Sequence, residues 1–347
     1  MAIAKKLPSG SWRVQLYVGK DSSGKKQYKS FTASTKKEAE FLAAQYNVSN
    51  REKKVCELTF EEAAERYIES KRNVLSPSTV RGYYATLKNW CKDISNVRVD
   101  KINQEQVQLL INSLAAEHSS KTCRNAHGLI SAVLSIYAPD VQLRTTLPQK
   151  QKREIYVPDE KEIKEIYELA IGTVNEIPIF LAAECGLRAS EISALHIEKI
   201  SDKYLIIDEA RVIGDDLKEH VKAPKSISGY RKIPISPQIC EYLKSHASDD
   251  GRVCSRSGEN ISNAWDRFRD YHNINSHLNF HALRHHFASK CLLLGMPQKY
   301  IAELMGHSST DMIERVYQHV FPSAMESFAD KLRGQMSELY HTKNHTE

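Results

Sequence analysis

The sequence predicts an α+β multidomain chain: a small N-terminal β-sheet with one helix, an all-α middle region, and a mixed, mainly helical third region. Three observations carry this expectation. Apolar residues alternate with a period of two over residues 11–18, and recur at helical spacing from 58 to 138. Beyond a proline-bearing stretch at 138–158, helical stripes are mixed with short strands. A chain of 347 residues is long enough for two or three domains with cores of their own.

Each element follows from a local pattern. SWRVQLYV (11–18) sets Trp12, Val14 and Leu16 at alternate positions, as a half-buried strand requires; DSSGKK supplies a turn and QYKSFT a second strand. TKKE (35–38) reads as a capping box opening a helix with Ala39, Leu42, Ala43 and Tyr46 on one face. This unit occupies 1–50, and the polar stretch 48–57 reads as a linker. Helical stripes then run through Phe60–Ile68, Val80–Cys91, Val107–Leu114 and Leu129–Tyr137, which makes 58–138 a compact helical domain. In the third region, 155–347, helices are expected near 159–171, 176–185, 189–196, 237–247, 261–272, 281–294, 298–305 and 310–318, with short strands between 203 and 235. VKAPKSISGYRKIPI (221–235) reads as a β-hairpin, and SAMESFADKLRGQMSEL as a helix near the C-terminus.

Composition narrows the class. No apolar run approaches the roughly 20 residues that span a bilayer, and the N-terminus has no signal-peptide core, so a cytoplasmic protein is expected. Seven dispersed cysteines without a C-x-x-C pair argue for reduced thiols, and no phosphate-binding G-x-x-x-x-G-K-[ST] loop suggests ATP chemistry. Residues 1–50 hold nine Lys/Arg against three acids, an excess equal to the whole chain's net charge of +6. Basic residues displayed on a small folded unit point to a polyanion such as nucleic acid.

The third region concentrates the polar residues that need explaining. HALRHHFASK (281–290) places His281 and Arg284 three apart on a helix, able to address one object. A metal is the weaker reading, because an arginine among the ligands repels the ion and no carboxylate completes a set. A planar cationic fork beside a ring N–H suits a phosphate. In CGLRASEISAL (185–195) Arg188 starts a helix and Glu191 is placed to orient it, although alone the two also read as a surface ion pair. Lys225 could project from the hairpin turn, with Lys222 a competitor. LMGHSSTDMIERVYQHV (304–320) ends a helix at Gly306, presents His307 in a turn, and carries Tyr317 on a short amphipathic helix.

Taken in order, Arg188, Lys225, His281-x-x-Arg284, Gly306-His307 and Tyr317 resemble the signature of the tyrosine recombinase (phage integrase) family, and GLRASEISAL, HALRHHFAS and LMGHSS resemble its boxes. His286 departs from the small hydroxyl residue common at its position, and His196-Ile197 from a pair that often ends in Trp. The resemblance implies an arm-binding domain at 1–50, a core-binding domain at 58–138, and a catalytic domain with a C-terminal tail at 155–347. It implies a site-specific recombinase of a prophage or integrative mobile element that needs neither cofactor nor metal. Tyr317 would be the nucleophile, Arg188 and Arg284 the phosphate clamp, Lys225 the general acid, and His281 and His307 hydrogen-bonding partners of the phosphate, with Glu191 behind Arg188. Its partners would be double-stranded DNA attachment sites and three further copies in a tetramer on DNA, with room for an accessory DNA-bending or excision factor. Two other classes fit less of the chain. A type IB topoisomerase leaves the basic N-terminal unit unused, and a non-catalytic DNA-binding regulator leaves the polar constellation unused.

Overall fold

The computed structural model describes residues 4–20, 25–49, 57–151, 155–224, 229–316 and 329–337. Contacts divide the chain into two compact units, one of residues 1–66 with 91–147 and one of residues 67–90 with 148–347.

The first unit opens with an antiparallel sheet of β1 (Lys5–Lys6), β2 (Trp12–Lys20) and β3 (Lys26–Ala33), in that order, followed by helix α1 (Lys36–Ser49). Period-two alternation sends Val14 and Leu16 to the buried face, where Ala39 and Ala43 of α1 meet them with Trp12, Phe31 and Tyr46 at the margin. The opposite face carries Arg13 across from Thr32, Gln15 across from Ser30, and Tyr17 across from Tyr28. The Thr35 hydroxyl accepts the Glu38 N–H at 3.3 Å, so the helix starts where the capping pattern puts it. Leu42 differs from expectation. It falls at the edge of the stripe through Ala39, Ala43 and Tyr46, and stays 37% exposed.

Helices α2 (Phe60–Ser70), α3 (Pro77–Trp90), α4 (Lys92–Ser95), α5 (Gln104–Glu117) and α6 (Ser120–Tyr137) follow. The expected stripes are the buried ones, among them Phe60, Ala63, Val107, Leu110, Ile111, Leu129, Ile130 and Val133. Helix α5 begins in a reciprocal cap, with Asn103 accepting from the Gln106 N–H at 2.9 Å and Gln106 accepting from the Asn103 N–H at 3.0 Å. Contacts group α3 with the second unit.

That unit continues through α7 (Glu160–Ala170), α8 (Glu176–Cys185) and α9 (Ala189–Ile192), then strands β4 (Tyr204–Ile207), β5 (Ala210–Ile213), β6 (Glu219–Lys222) and β7 (Arg231–Pro234). Helices α10 (Pro237–Ser245), α11 (Gly258–Tyr271), α12 (Phe280–Leu293) and α13 (Gln298–Leu304) complete it, with residues 311–316 and 329–337 also helical. Helix α8 is apolar nearly all round, as a helix at the centre of a domain must be, and packs along α12. Trp265 is fully buried and donates its indole N–H to the Leu278 carbonyl at 3.0 Å, which satisfies its one polar group.

The strands correct one expectation. Residues 221–235 are not a hairpin, because β6 pairs with β5 while β7 pairs back with β4, both antiparallel. Leu205, Ile207 and Ile233 all belong to the main core, so β4 and β7 gain by pairing under it. The β5–β6 hairpin closes through Leu217, a non-glycine residue at φ 60°, and stands apart as a second ribbon. Lys225 belongs to the stretch 225–228, which follows β6 and precedes β7 in sequence and lies outside the described residues.

Candidate active site

Two glycine turns bring the candidate residues together. Helix α8 ends at Gly186 in the left-handed region (φ 65°), where an added Cβ would lie 2.5 Å from the Phe287 ring. Only glycine fits both the angle and the space. The turn makes Arg188 the N-cap of α9, and Glu191 reaches back to accept the Arg188 backbone N–H at 2.9 Å. A second left-handed glycine, Gly306 (φ 63°), ends α13 and exposes the last carbonyls of that helix.

Three consecutive carbonyls at that end each accept from a different arginine. Leu304 O takes Arg231 Nε at 2.6 Å, Met305 O takes Arg284 Nη2 in a very short bond, and Gly306 O takes Arg188 Nη2 at 2.9 Å. The negative end of the helix favours this arrangement. On the other side, the Glu191 carboxylate faces the same three guanidiniums. Arg188 Nη1 donates to it at 2.7 Å, Arg231 forks onto both oxygens at 3.1 and 2.7 Å, and Arg284 Nη1 lies 3.7 Å away. Burial pushes the Glu191 carboxyl upward, but the hydrogen bonds and charge of Arg231, with Arg284 and Arg188, outweigh it and hold the group at about 2.

Arg284 is fully buried, more deeply than the sequence stripe implied, because α12 is covered on nearly every side. Its fork is spent on Gly186 O, Met305 O and the His307 ring, whose Nε2 lies 2.8 Å from Arg284 Nη2. Burial and the neighbouring Arg188 disfavour its charge, and Glu191 restores part of that loss. His307 is pushed down to about 3 by burial and then by Arg284 and Arg188. His281 goes down to about 4 by the same causes, although water reaches its exposed ring and screens part of the effect. His285, also held down to about 4 by burial, stacks edge-on against His281 with centroids 5.0 Å apart. Both His281 and His307 are thus neutral imidazoles at pH 7, able to donate one hydrogen bond and accept another.

Arg188, about a third exposed, and His281 border an open cleft of about 590 Å³, whose wall also includes Arg81, Ser190, Arg211 and Glu259. Arg188, Glu191, His281, Arg284 and His307 are brought together here. Lys225 and Tyr317 lie outside the described residues. Among the described residues no cluster of three His, Cys, Asp or Glu side chains is arranged to hold a metal ion, and no helix is long and apolar enough to cross a membrane. The six described cysteines are free and buried.

His286 has a structural position of its own. Buried on α12, it has Nδ1 3.0 Å from the Pro158 carbonyl and Nε2 3.3 Å from Glu160, tying the helix to the start of α7. Sequence reasoning missed Arg231. The one available signal was its register: in a four-residue strand, Arg231 shares the parity of the buried Ile233.

Comparison with known proteins identifies the family of the chain. The sequence profile of the phage integrase family matches residues 146–323, just over half of the chain, and that of the phage integrase N-terminal SAM-like domain matches residues 59–115. A tyrosine recombinase XerC-like protein of Caldanaerobacter subterraneus subsp. tengcongensis is 24% identical over 92% of this chain and 95% of its own. Tyrosine recombinase XerD of Staphylococcus haemolyticus is 23% identical over 71% of this chain and 89% of its own. Among solved structures, the Tn1549 transposon integrase with circular intermediate DNA aligns at TM-score 0.64 (16% identity, 79% of this chain, all of that one). A lambda integrase dimer on a COC′ core site aligns at 0.60 (17% identity, 90% and 93%). The chain belongs to the phage integrase family and is a tyrosine-type site-specific recombinase.

Proposed function

We propose that this recombinase cuts and rejoins DNA at attachment sites as the integrase of a prophage or integrative mobile element, through a 3′-phosphotyrosyl bond at Tyr317 and without ATP or metal. The observation that supports the reading best is the set of three arginines held between Glu191 and the carbonyls of residues 304–306, with Arg188 and His281 bordering an open cleft.

The chemistry follows from what each group can do. A tyrosine hydroxyl has an ordinary pKa of about 10, so at neutral pH the site must take its proton and stabilise the charge passed to phosphorus. The Tyr317 oxygen bonds to phosphorus as the bond to O5′ breaks. Lys225 gives the leaving oxygen a proton, which avoids expelling a costly alkoxide. Arg188 and Arg284 hold the non-bridging oxygens as negative charge grows. Arg284 reaches them by exchanging a carbonyl partner for a phosphate oxygen. A phosphodiester anion entering the site offsets the arginines and raises the depressed pKa values of His281 and His307, which turns a neutral ring into a competent acceptor of the tyrosine proton. A partner strand's 5′-hydroxyl then attacks the phosphotyrosine, and the bond energy is kept without ATP.

Residues 1–50 serve as the arm-binding domain, 58–138 as the core-binding domain and 155–347 as the catalytic domain, and the protein works on double-stranded DNA as a tetramer in the cytoplasm. Lambda integrase has been captured as a tetramer on a Holliday junction, and it shares this fold at TM-score 0.57. The test is a nicked suicide duplex carrying an attachment site. The native protein is expected to form a covalent adduct through the 3′-phosphate and Tyr317→Phe none. Binding without an adduct from the native protein would overturn the reading.

A further inference from the structure

We infer that Arg231 is a positioning residue for strand cleavage, holding Glu191, and through it Arg188, in register with the end of α13. The inference rests on the strand-cleavage reading above. Arg231 touches three segments at once. Its two Nη atoms fork onto the Glu191 carboxylate, its Nε donates to Leu304 O at 2.6 Å, and Nη1 also lies 3.4 Å from the carbonyl of Gly229. Gly229 is the first described residue after 225–228. The side chain is 2% exposed and borders no part of the cleft. All three of its nitrogens are bonded, to Glu191, Leu304 O and Gly229 O, whereas the equally buried Arg284 keeps its Nε without a partner, so Arg231 acts through its neighbours.

Two physical arguments give that position a role. The first concerns charge. Glu191 is faced by Arg188 from its own helix, by Arg231 from β7, by Arg284 from α12, and more distantly by His281. Arg231 makes the two-oxygen fork onto the carboxylate and so carries the largest share of its neutralisation. Arg188 and Arg284, which share less of it, then keep more of their positive field for an anion. The second concerns geometry. A bidentate fork fixes the plane of the carboxylate, and that plane fixes where Arg188 Nη1 sits, 2.7 Å from Oε1. Arg211, also deeply buried, offers a contrast. Its fork goes to Ser193, Glu219 and the carbonyls of residues 254–256, and to neither Glu191 nor a carbonyl at the end of α13.

Without Arg231, Glu191 would lose its strongest partner while remaining buried. The carboxylate would pull Arg188 away from the cleft, and its pKa would climb from about 2 toward and past the ordinary carboxylate value. The test is single-turnover cleavage of the nicked suicide duplex at saturating protein across about pH 5.5 to 8.5, where a catalytic group's titration reads out directly. The proteins compared are the native chain, Arg231→Gln, Arg231→Lys, and Arg231→Gln combined with Glu191→Gln. Arg231→Gln should cleave about a hundredfold more slowly, the scale of a misplaced catalytic group, while binding the duplex as the native chain does. It should also acquire an acid limb that the native chain lacks. The added Glu191→Gln should abolish that limb, because the titrating group is gone. Should Arg231→Gln fail to fold, Arg231→Lys carries the test, since it keeps the charge and loses the fork, and the same limb is expected at a smaller loss of rate. Native rate with a native pH profile in either variant overturns the inference, as does a loss of rate with the profile unchanged. Failure of the native protein to form an adduct would overturn the cleavage reading itself, and this inference with it.

Discussion

The N-terminal sheet and the arginine cluster around Glu191 are both cationic, yet they hold their charge in opposite ways. On the sheet, Lys5, Lys6, Arg13, Lys26 and Lys29 are exposed, and Lys5 and Arg13 lie opposite each other on the face turned away from α1. Around Glu191, two guanidiniums are almost wholly buried and every one is tied to a carbonyl and to the carboxylate. Solvated charges cost little to display, are screened by salt, and add attraction without direction. Buried charges must be neutralised and hydrogen-bonded, and the same bonds that offset their desolvation fix their orientation. The contrast teaches that solvated charge is displayed without a fixed direction, whereas buried charge is held in a fixed geometry.

The strongest way to break this comparison is to remove the carboxylate. Glu191→Ala leaves three guanidiniums facing one another without their shared anion, and breaking a buried pair of this kind costs about 3–5 kcal/mol. A large fall in melting temperature is expected by calorimetry. An unchanged melt would mean that the cluster is not held by Glu191.

Acidification probes the same cluster with a smaller, graded effect. His281 and His307 are held at about 4 and about 3 against an ordinary 6.5, so below 6.5 the unfolded chain takes up protons before the folded one. The resulting loss of stability is absent above that value and grows as pH falls, until the folded rings protonate near 4 and 3. Glu191, held at about 2 against 4.5, adds a further loss between those two values. Melting temperature followed from pH 7 downward should therefore decline continuously and not in one late step near pH 2. A flat profile down to pH 4 would contradict the lowered pKa values of the two histidines.

The smallest effect belongs to the sheet. Tyr17 and Tyr28 are exposed cross-strand partners with ring centroids 5.7 Å apart, and Tyr28→Ala should cost no more than about 1 kcal/mol. Chemical denaturation should show that modest loss. A much larger one would mean that the exposed face holds the sheet together, which would blunt the contrast with the buried cluster.

Much of the architecture was legible in the sequence because it depends on local periodicity. The alternation of Trp12, Val14 and Leu16, the stripe through Val107, Leu110, Ile111 and Leu114, and the Thr35–Glu38 cap each reflect neighbours within one turn or one strand. Where a residue's fate depended on a distant segment, local reasoning failed. Leu42, at the edge of its helix stripe, meets no segment that covers it and stays 37% exposed. Residues 221–235 look like a hairpin until β4, some 30 residues from β7, claims it as a partner. Arg231 resembles any strand lysine or arginine until Glu191 and Leu304 arrive from 40 and 73 residues away.

By itself, then, the sequence set out the candidate residues and their order: Arg188, Lys225, His281, Arg284, His307 and Tyr317 occupy spacings that resemble one family's boxes. It also determined the turns that deliver them, since glycine alone accepts the left-handed geometry at Gly186 and Gly306. Only the tertiary structure decided that three arginines share one carboxylate and three successive carbonyls, that the third of them is Arg231, and that the histidines beside them are neutral at pH 7. Those properties depend on burial and on charges brought together from separate segments, and neither is written in any one stretch of chain.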